Sequence, residues 1–143
     1  MAILMPLNFI KLKETAKEFN YAYVNDACAD IYSSENITLQ SNSTSIVHSG
    51  IAIELPYGYE GIIRGRSGLA SKGILVHVGT IDENYRGEIG VIMVNTTNKP
   101  YEIKEGDKIA QFTIKPVIKI VMSEKKFLNK TERGENGYGS TGK

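Results

Sequence analysis

Cysteine occurs once in the chain, at Cys28, so no internal disulfide can form and a reducing, cytosolic compartment is the expected one. That single thiol and two distant histidines, His48 and His77, supply no ligand set for a thiolate metal centre. Cys28 reads instead as a small buried hydrophobe and the histidines as structural residues on strands. An excess of either charge is missing as well: 17 Lys and Arg against 16 Asp and Glu leave a formal net charge of +1. So neutral a chain lacks the basic field of a nucleic-acid binder. No apolar run approaches a membrane span, and the N-terminus lacks the charged start, apolar centre and small-residue cleavage site of a signal peptide. No membrane partner, no nucleic-acid partner and a cytoplasmic location are therefore expected. Internal repeats are absent too.

What is present is a series of short β-type segments punctuated by glycine, asparagine and proline, within a length of 143 residues that suits one domain. Val47, Ile51, Ile53 and Leu55 share one face at period two, with His48, Gly50 and Glu54 opposite, which predicts a half-buried strand. Ile89 to Val94 is apolar on both faces and predicts a strand covered on both sides. Ala110, Phe112 and Ile114 face one way, Gln111 and Thr113 the other. Further strands are expected at Phe9–Leu12, Asp30–Tyr32, Gly61–Ile63, Leu75–Ile81 and Val117–Met122, with one short helix over Ser67–Lys72. The segment between Ile81 and Ile89 has the length of a hairpin turn. Such a pattern predicts an all-β sandwich or jelly roll. Apolar residues thin out from Ser123, so a body of residues 1–122 followed by an arm of residues 123–143 is expected.

Five segments carry chemistry. Arg133 to Lys143 holds four glycines in eleven residues and too little apolar surface to offset its own ordering, so it should be mobile when free. Its glycines admit close backbone approach, Ser140 and Thr141 add hydroxyls, Arg133 adds a guanidinium and Tyr138 a flat face for a base. That suits an arm ordering over a nucleotide; a plain disordered terminus fits the same residues. Gly65-Arg66-Ser67-Gly68, where a strand meets a short helix, suits an anion site or simply a turn. Asp82 opens the turn after an apolar strand, where a carboxylate can act as a general base for water or satisfy turn N–H groups. Tyr85 in the same turn can be a core aromatic or can pack against a sugar. Asp30 interrupts small apolar neighbours, and a buried carboxylate requires a positive group or metal-bound water. In Gly106-Asp107-Lys108-Ile109-Ala110-Gln111, the outward Gln111 can reach a phosphate. Lys125-Lys126 is a solvated start to the arm.

In order and spacing these segments resemble the trimeric dUTP nucleotidohydrolases, the dUTPases, from about Ala27 to Lys143. The family's Ala-Gly-Tyr-Asp-Leu motif matches at Asp30, with Cys28 and Ala29 in place of Gly-Tyr. Its Pro-Arg-Ser-Gly matches Gly65 to Gly68, with glycine for proline. Its Gly-x-Ile-Asp-x-x-Tyr-x-Gly matches Gly79, Ile81, Asp82, Tyr85 and Gly87. Its Gly-Asp-Arg-Ile-Ala-Gln is met with Lys108 for arginine, and its closing Arg-Gly-x-x-Gly-Phe-Gly-Ser-Thr-Gly with Tyr138 for phenylalanine.

The resemblance implies a distorted jelly roll of the dUTPase (β-clip) type with one short helix and a mobile C-terminal arm. It implies hydrolysis of dUTP to dUMP and pyrophosphate by water attack on the α-phosphorus, with Mg²⁺ as cofactor and Asp30 reaching the ion through water. Arg66, Ser67, Gly68 and Gln111 would hold the α- and β-phosphates, and Asp82 would deprotonate the water. Arg133, Gly137, Tyr138, Gly139, Ser140 and Thr141 would close over the nucleotide. Gly79, Ile81 and Gly90 would line the uracil, and Tyr85 would underlie the deoxyribose and exclude a 2′-hydroxyl. A homotrimer with interface active sites is implied, and a regulatory protein partner if the chain is phage-encoded. The alternatives are a dCTP deaminase, which shares the fold, and a binding protein that sequesters a repressor; no long insertion lies between the motifs.

Overall fold

Residues 3–142 are described by a computed structural model; Met1, Ala2 and Lys143, the expected end of the arm, lie outside the described residues. β1 (Asn8–Lys11), β4 (Ser43–Glu54), β8 (Glu88–Asn95) and β6 (Ile74–Val76) make one four-stranded sheet in the order β1-β4-β8-β6. β2 (Ala29–Tyr32), β10 (Lys108–Pro116), β5 (Tyr59–Arg64) and β7 (Gly79–Ile81) make a second, in the order β2-β10-β5-β7. β3 (Ile37–Leu39) pairs with β9 (Tyr101–Ile103) as a small third sheet, and every pairing is antiparallel. The single helix, α1, spans Ser67–Ala70. This is the expected all-β architecture with one short helix.

The core is filled from both large sheets. Val47, Ile51, Val91 and Met93 come from the first and Ile31, Ile63, Ile109 and Phe112 from the second, all essentially buried. Each such side chain contributes about 1.5–3 kcal/mol on burial. Phe19 caps the cluster with its ring tilted against Phe112, centroids 5.4 Å apart. Buried polar groups are paired: Ser49 Oγ donates to the Ile89 carbonyl at 2.6 Å, and the Asn95 amide donates to the carbonyls of Leu39 and Lys99.

Several elements differ from expectation, each for a local reason. The apolar run Leu75–Ile81 is not one strand: it breaks at His77 and Val78, and its two halves serve different sheets. The turn between Ile81 and Ile89 therefore carries the chain from sheet to sheet and closes no ladder between its flanking strands. Val117–Met122 forms no strand, and regular structure ends at Pro116. α1 stops at Ala70, short of Lys72. β3 and β9 were not anticipated, being three residues each. Gly50, expected on the open face of β4, is buried: a bulge between His48 and Ala52 places it at φ +69, and a Cβ there would lie 2.7 Å from that of Ala16. Finally, β8 is covered on one face only. Ile92 is 39% exposed beside its register partner Ile46 at 54%, so among the described residues no element covers the second apolar face.

Candidate active site

Strand register assembles the first part of the site. Gln111 lies opposite Asp30 on one side and opposite Arg64 on the other, so these three positions form one row across β2, β10 and β5 and share a face. Two residues past Arg64, Arg66 turns back over Asp30, with Nε 3.4 Å from Oδ1. Lys108, from the start of β10, places Nζ 2.8 Å from Oδ2. The buried Asp30 thus receives one cation on each oxygen, as a desolvated carboxylate requires. The ammonium responds in kind: hydrogen bonding to Asp30 and its charge hold the Lys108 pKa above the ordinary lysine value. Sequence reasoning left a positive group or metal-bound water open for Asp30 and did not identify Lys108, because only the fold brings β10 alongside β2.

Asp30, Arg66, Ser67, Gly68 and Gln111 line one open cleft of about 360 Å³, with Cys28 in its wall. Ser67 and Gly68 open α1, whose first-turn N–H groups have no intrahelical partner. A Cβ added at Gly68 would meet nothing within 4 Å, and no positive φ requires glycine there. Neither packing nor conformation requires glycine at position 68, and its absent side chain leaves the backbone there open to close approach. The turn before Arg66 is held despite glycine at position 65, because Gln111 Nε2 donates to the Gly65 carbonyl at 2.8 Å.

The loop between β7 and β8 forms a second group. Asp82 is exposed, and among the described residues its carboxylate accepts no hydrogen bond; only its main-chain carbonyl is used, by Tyr85 N at 3.0 Å. A side chain satisfying its own turn would look different. Glu83 takes the anchoring task, accepting the Gly58 N–H at 2.7 Å, while Arg86 donates back to the Glu83 carbonyl at 2.7 Å. Tyr85 is not a core aromatic: it is half exposed, its hydroxyl donates to the Glu88 carbonyl at 2.9 Å, and its ring covers Gly87, where a Cβ would lie 2.4 Å from that hydroxyl.

Gly79 and Gly90 follow from the pairing of β6 with β8. The register Ile74↔Asn95, Leu75↔Val94, Val76↔Met93 continues through His77 N to the Ile92 carbonyl at 2.9 Å and would next oppose Gly79 to Gly90. There the strands part, since Gly79 pairs with Ile63 of β5 and Gly90 with His48 of β4. Among the described residues no ladder pairing joins Gly79 to Gly90.

The arm is a third group. Beyond Val117, whose N–H donates to the Gly58 carbonyl at 2.8 Å, no hydrogen bond joins it to the body among the described residues. Arg133 Nε donates to the Asn136 carbonyl, Ser140 N to that of Gly137 and Gly142 N to that of Gly139, all within the arm. Tyr138 is fully exposed, and Thr141 is exposed as well. Neither the arm nor the 82–88 loop lines the Asp30 cleft, so one chain does not bring the three groups together.

The family model described as dUTPase matches residues 14–142. The chain belongs to the dUTPase family. It is 46% identical to a deoxyuridine 5'-triphosphate nucleotidohydrolase of Clostridium tetani, over 92% of this chain and 93% of that one. It is 45% identical to the enzyme of the same name from Crocosphaera subtropica, over 96% and 99%. Among solved structures it resembles the Staphylococcus bacteriophage 80alpha dUTPase with dUPNHPP, at TM-score 0.89, 26% identity and coverage of 96% and 98%. A mutant dUTPase from phage phi11 of S. aureus, solved with a structural Mg(II) ion, matches at TM-score 0.80, 25% identity and coverage of 86% and 98%.

Proposed function

We propose that the chain is a dUTP diphosphatase, hydrolysing dUTP to dUMP and pyrophosphate by attack of water on the α-phosphorus. The observation that carries this is the cleft in which Arg66, the open start of α1 and Gln111 surround a buried Asp30. Arg66 supplies forked donors, Ser67 a hydroxyl and main-chain N–H, and Gly68 an unobstructed backbone for the α- and β-phosphates. Gln111 supplies the remaining amide donor once Gly65 has taken the other.

The residues present fit Mg²⁺ delivered on the phosphates. Among the described residues no three His, Cys, Asp or Glu side chains cluster as metal ligands, while the single carboxylate of Asp30 suits contact through metal-bound water. When bound, the ion neutralises phosphate charge, which is most of what phosphoryl chemistry asks of a catalyst. Asp82, whose carboxylate accepts no hydrogen bond among the described residues, orients the attacking water and accepts its proton. Gly79 and Gly90 offer main-chain donors and acceptors to the uracil edge, beside Ile81, so that cytosine leaves groups unpaired. Tyr85 underlies the deoxyribose and rejects a 2′-hydroxyl. Arg133, Ser140 and Thr141 close on the γ-phosphate, with Gly137 and Gly139 giving the backbone access and Tyr138 stacking on the base.

Assembly is part of the same proposal. Three site groups that do not meet in one chain, an uncovered apolar face at Ile46, Ile92 and Leu75, and an exposed apolar root at Ile118 to Met122 support a homotrimer with shared sites. Residues 123–143 act in it as the closing arm. No helix of the described residues is long and apolar enough to cross a membrane; a cytoplasmic place of action completes the proposal. The test is pyrophosphate release from dUTP, UTP, dCTP and dTTP with Mg²⁺. Turnover confined to dUTP is expected. Ammonia release from dCTP would make the chain a deaminase instead.

A further inference from the structure

The two cations on Asp30 are not equivalent. Arg66 approaches Oδ1 at 3.4 Å while its Nη1 donates to the Lys108 carbonyl at 3.4 Å, so its planar fork has a second anchor. Lys108 approaches Oδ2 at 2.8 Å, and among the described residues its Nζ has no other partner. Its ammonium is a compact charge on a flexible four-carbon stem with its side chain 38% exposed, so it can leave the carboxylate without breaking a second contact. An arginine at this position would instead grip the carboxylate at two points with its fork.

Each oxygen of Asp30 therefore carries one cation of the chain itself, so metal-bound water shares the carboxylate with them and gains a stronger acceptor when one cation withdraws. We propose that Lys108 is the displaceable counter-ion of Asp30, a positioning residue that yields the carboxylate to the water shell of Mg²⁺ and thereby sets the coupling between nucleotide and metal binding. This rests on the assignment of Asp30 to metal-bound water in the proposed function. Two effects have the same sign. With Mg²⁺ present, Lys108 competes for Asp30 and weakens the ternary complex. With Mg²⁺ absent, the Lys108 charge beside the phosphate cleft offsets part of the triphosphate's charge and strengthens the binary one. Lys108 thus compresses the ratio of the two affinities.

The experiment is calorimetric titration of the full-length protein with dUpNHpp, the non-hydrolysable analogue, once in saturating Mg²⁺ and once in EDTA. The ratio of the two association constants is the coupling factor. Lys108→Met should raise it about tenfold, within the range usual for coupled sites. Lys108→Arg, gripping Asp30 at two points, should lower it below wild type. Where the methionine variant does not fold, Lys108→Gln carries the same expectation, since it keeps a polar end without the charge. A coupling factor that stays within twofold of wild type, or falls, on loss of the charge overturns the proposal. Asp30→Asn separates the two layers. It should reduce the coupling factor, and adding Lys108→Met to it should then raise the factor less than it does in the wild-type background, since only the effect of the charge on the binary complex remains. If Asp30→Asn leaves coupling intact, the assignment of Asp30 itself has failed. If it abolishes coupling while Lys108→Met in the wild-type background does nothing, only the Lys108 proposal has failed.

Discussion

Asp82 has a carboxylate that accepts no hydrogen bond from the described residues of its own chain, on a loop whose position Glu83 and Arg86 already secure. Replacing it should therefore disturb chemistry and leave the fold alone. Asp82→Asn, equal in size and polarity but unable to accept a proton, should bind dUpNHpp nearly as wild type does while kcat falls at least ~10²-fold. A fall of less than tenfold would remove the general-base role. Gly68 permits a sharper separation of stability from function. A Cβ at this position meets nothing within 4 Å, and alanine is the better helix former, so Gly68→Ala should leave folding unharmed or stabilise it by up to about 1 kcal/mol. The same methyl would stand where the phosphates approach the opening of α1. We expect a melting temperature unchanged or raised together with kcat/KM reduced at least ~10-fold. Unchanged kcat/KM would mean that the ligand does not come near this backbone.

Among the elements, the long strands are legible in the sequence: β4 and β10 lie where period two places them, apart from the bulge at Gly50, and β8 lies where a continuous apolar run predicts a strand. The break at His77 and Val78 is not, because Ile74 to Ile81 is largely apolar and periodicity cannot tell one strand from two that bury against different sheets. Val117 to Met122 misleads for the opposite reason: the pattern records a need for burial, and its own chain supplies no strand to satisfy it. The chemical motifs are legible from residue types, whereas the Lys108–Asp30 pair depends on β10 lying beside β2. One element-level contact also titrates. Glu105, in the turn before β10, accepts hydrogen bonds from Thr15 and Lys13, which hold its pKa below the ordinary 4.5 and fasten the N-terminal segment. A depressed carboxyl pKa contributes its stability in full above the unfolded value and loses it as pH falls through the folded one, so the contact should loosen only below about pH 4.5. Hydrogen-exchange protection of Ala16 N–H, which donates to the Lys13 carbonyl, should decline in that window. In Glu105→Gln it should be lower at neutral pH and show no such decline. Identical protection profiles in the two proteins would remove Glu105 as the fastener.

At the scale of the whole molecule, the cleft around Asp30, the Asp82 loop and the arm are the three parts of the proposed site, and a single chain keeps them apart. A closed trimer resolves this if each site takes its base from one chain and its clamp from another, since cyclic symmetry repeats one such contact three times. Consider two inactive proteins, one carrying Asp82→Asn with an intact arm, the other carrying Asp82 but truncated after Lys130. The first homotrimer lacks the proton acceptor, and the second lacks Arg133, Ser140 and Thr141. When the two are unfolded together and refolded, some interfaces must pair an intact Asp82 with an intact arm from a different chain. Mixed trimers, identified by mass, should therefore recover a substantial fraction of wild-type dUTP hydrolysis. A site built within one chain cannot be restored in this way, because every chain in the mixture carries one lesion. Mixed trimers that remain as inactive as their parents would require Asp82 and the arm of the same chain to meet, and with that the shared site would have to be abandoned.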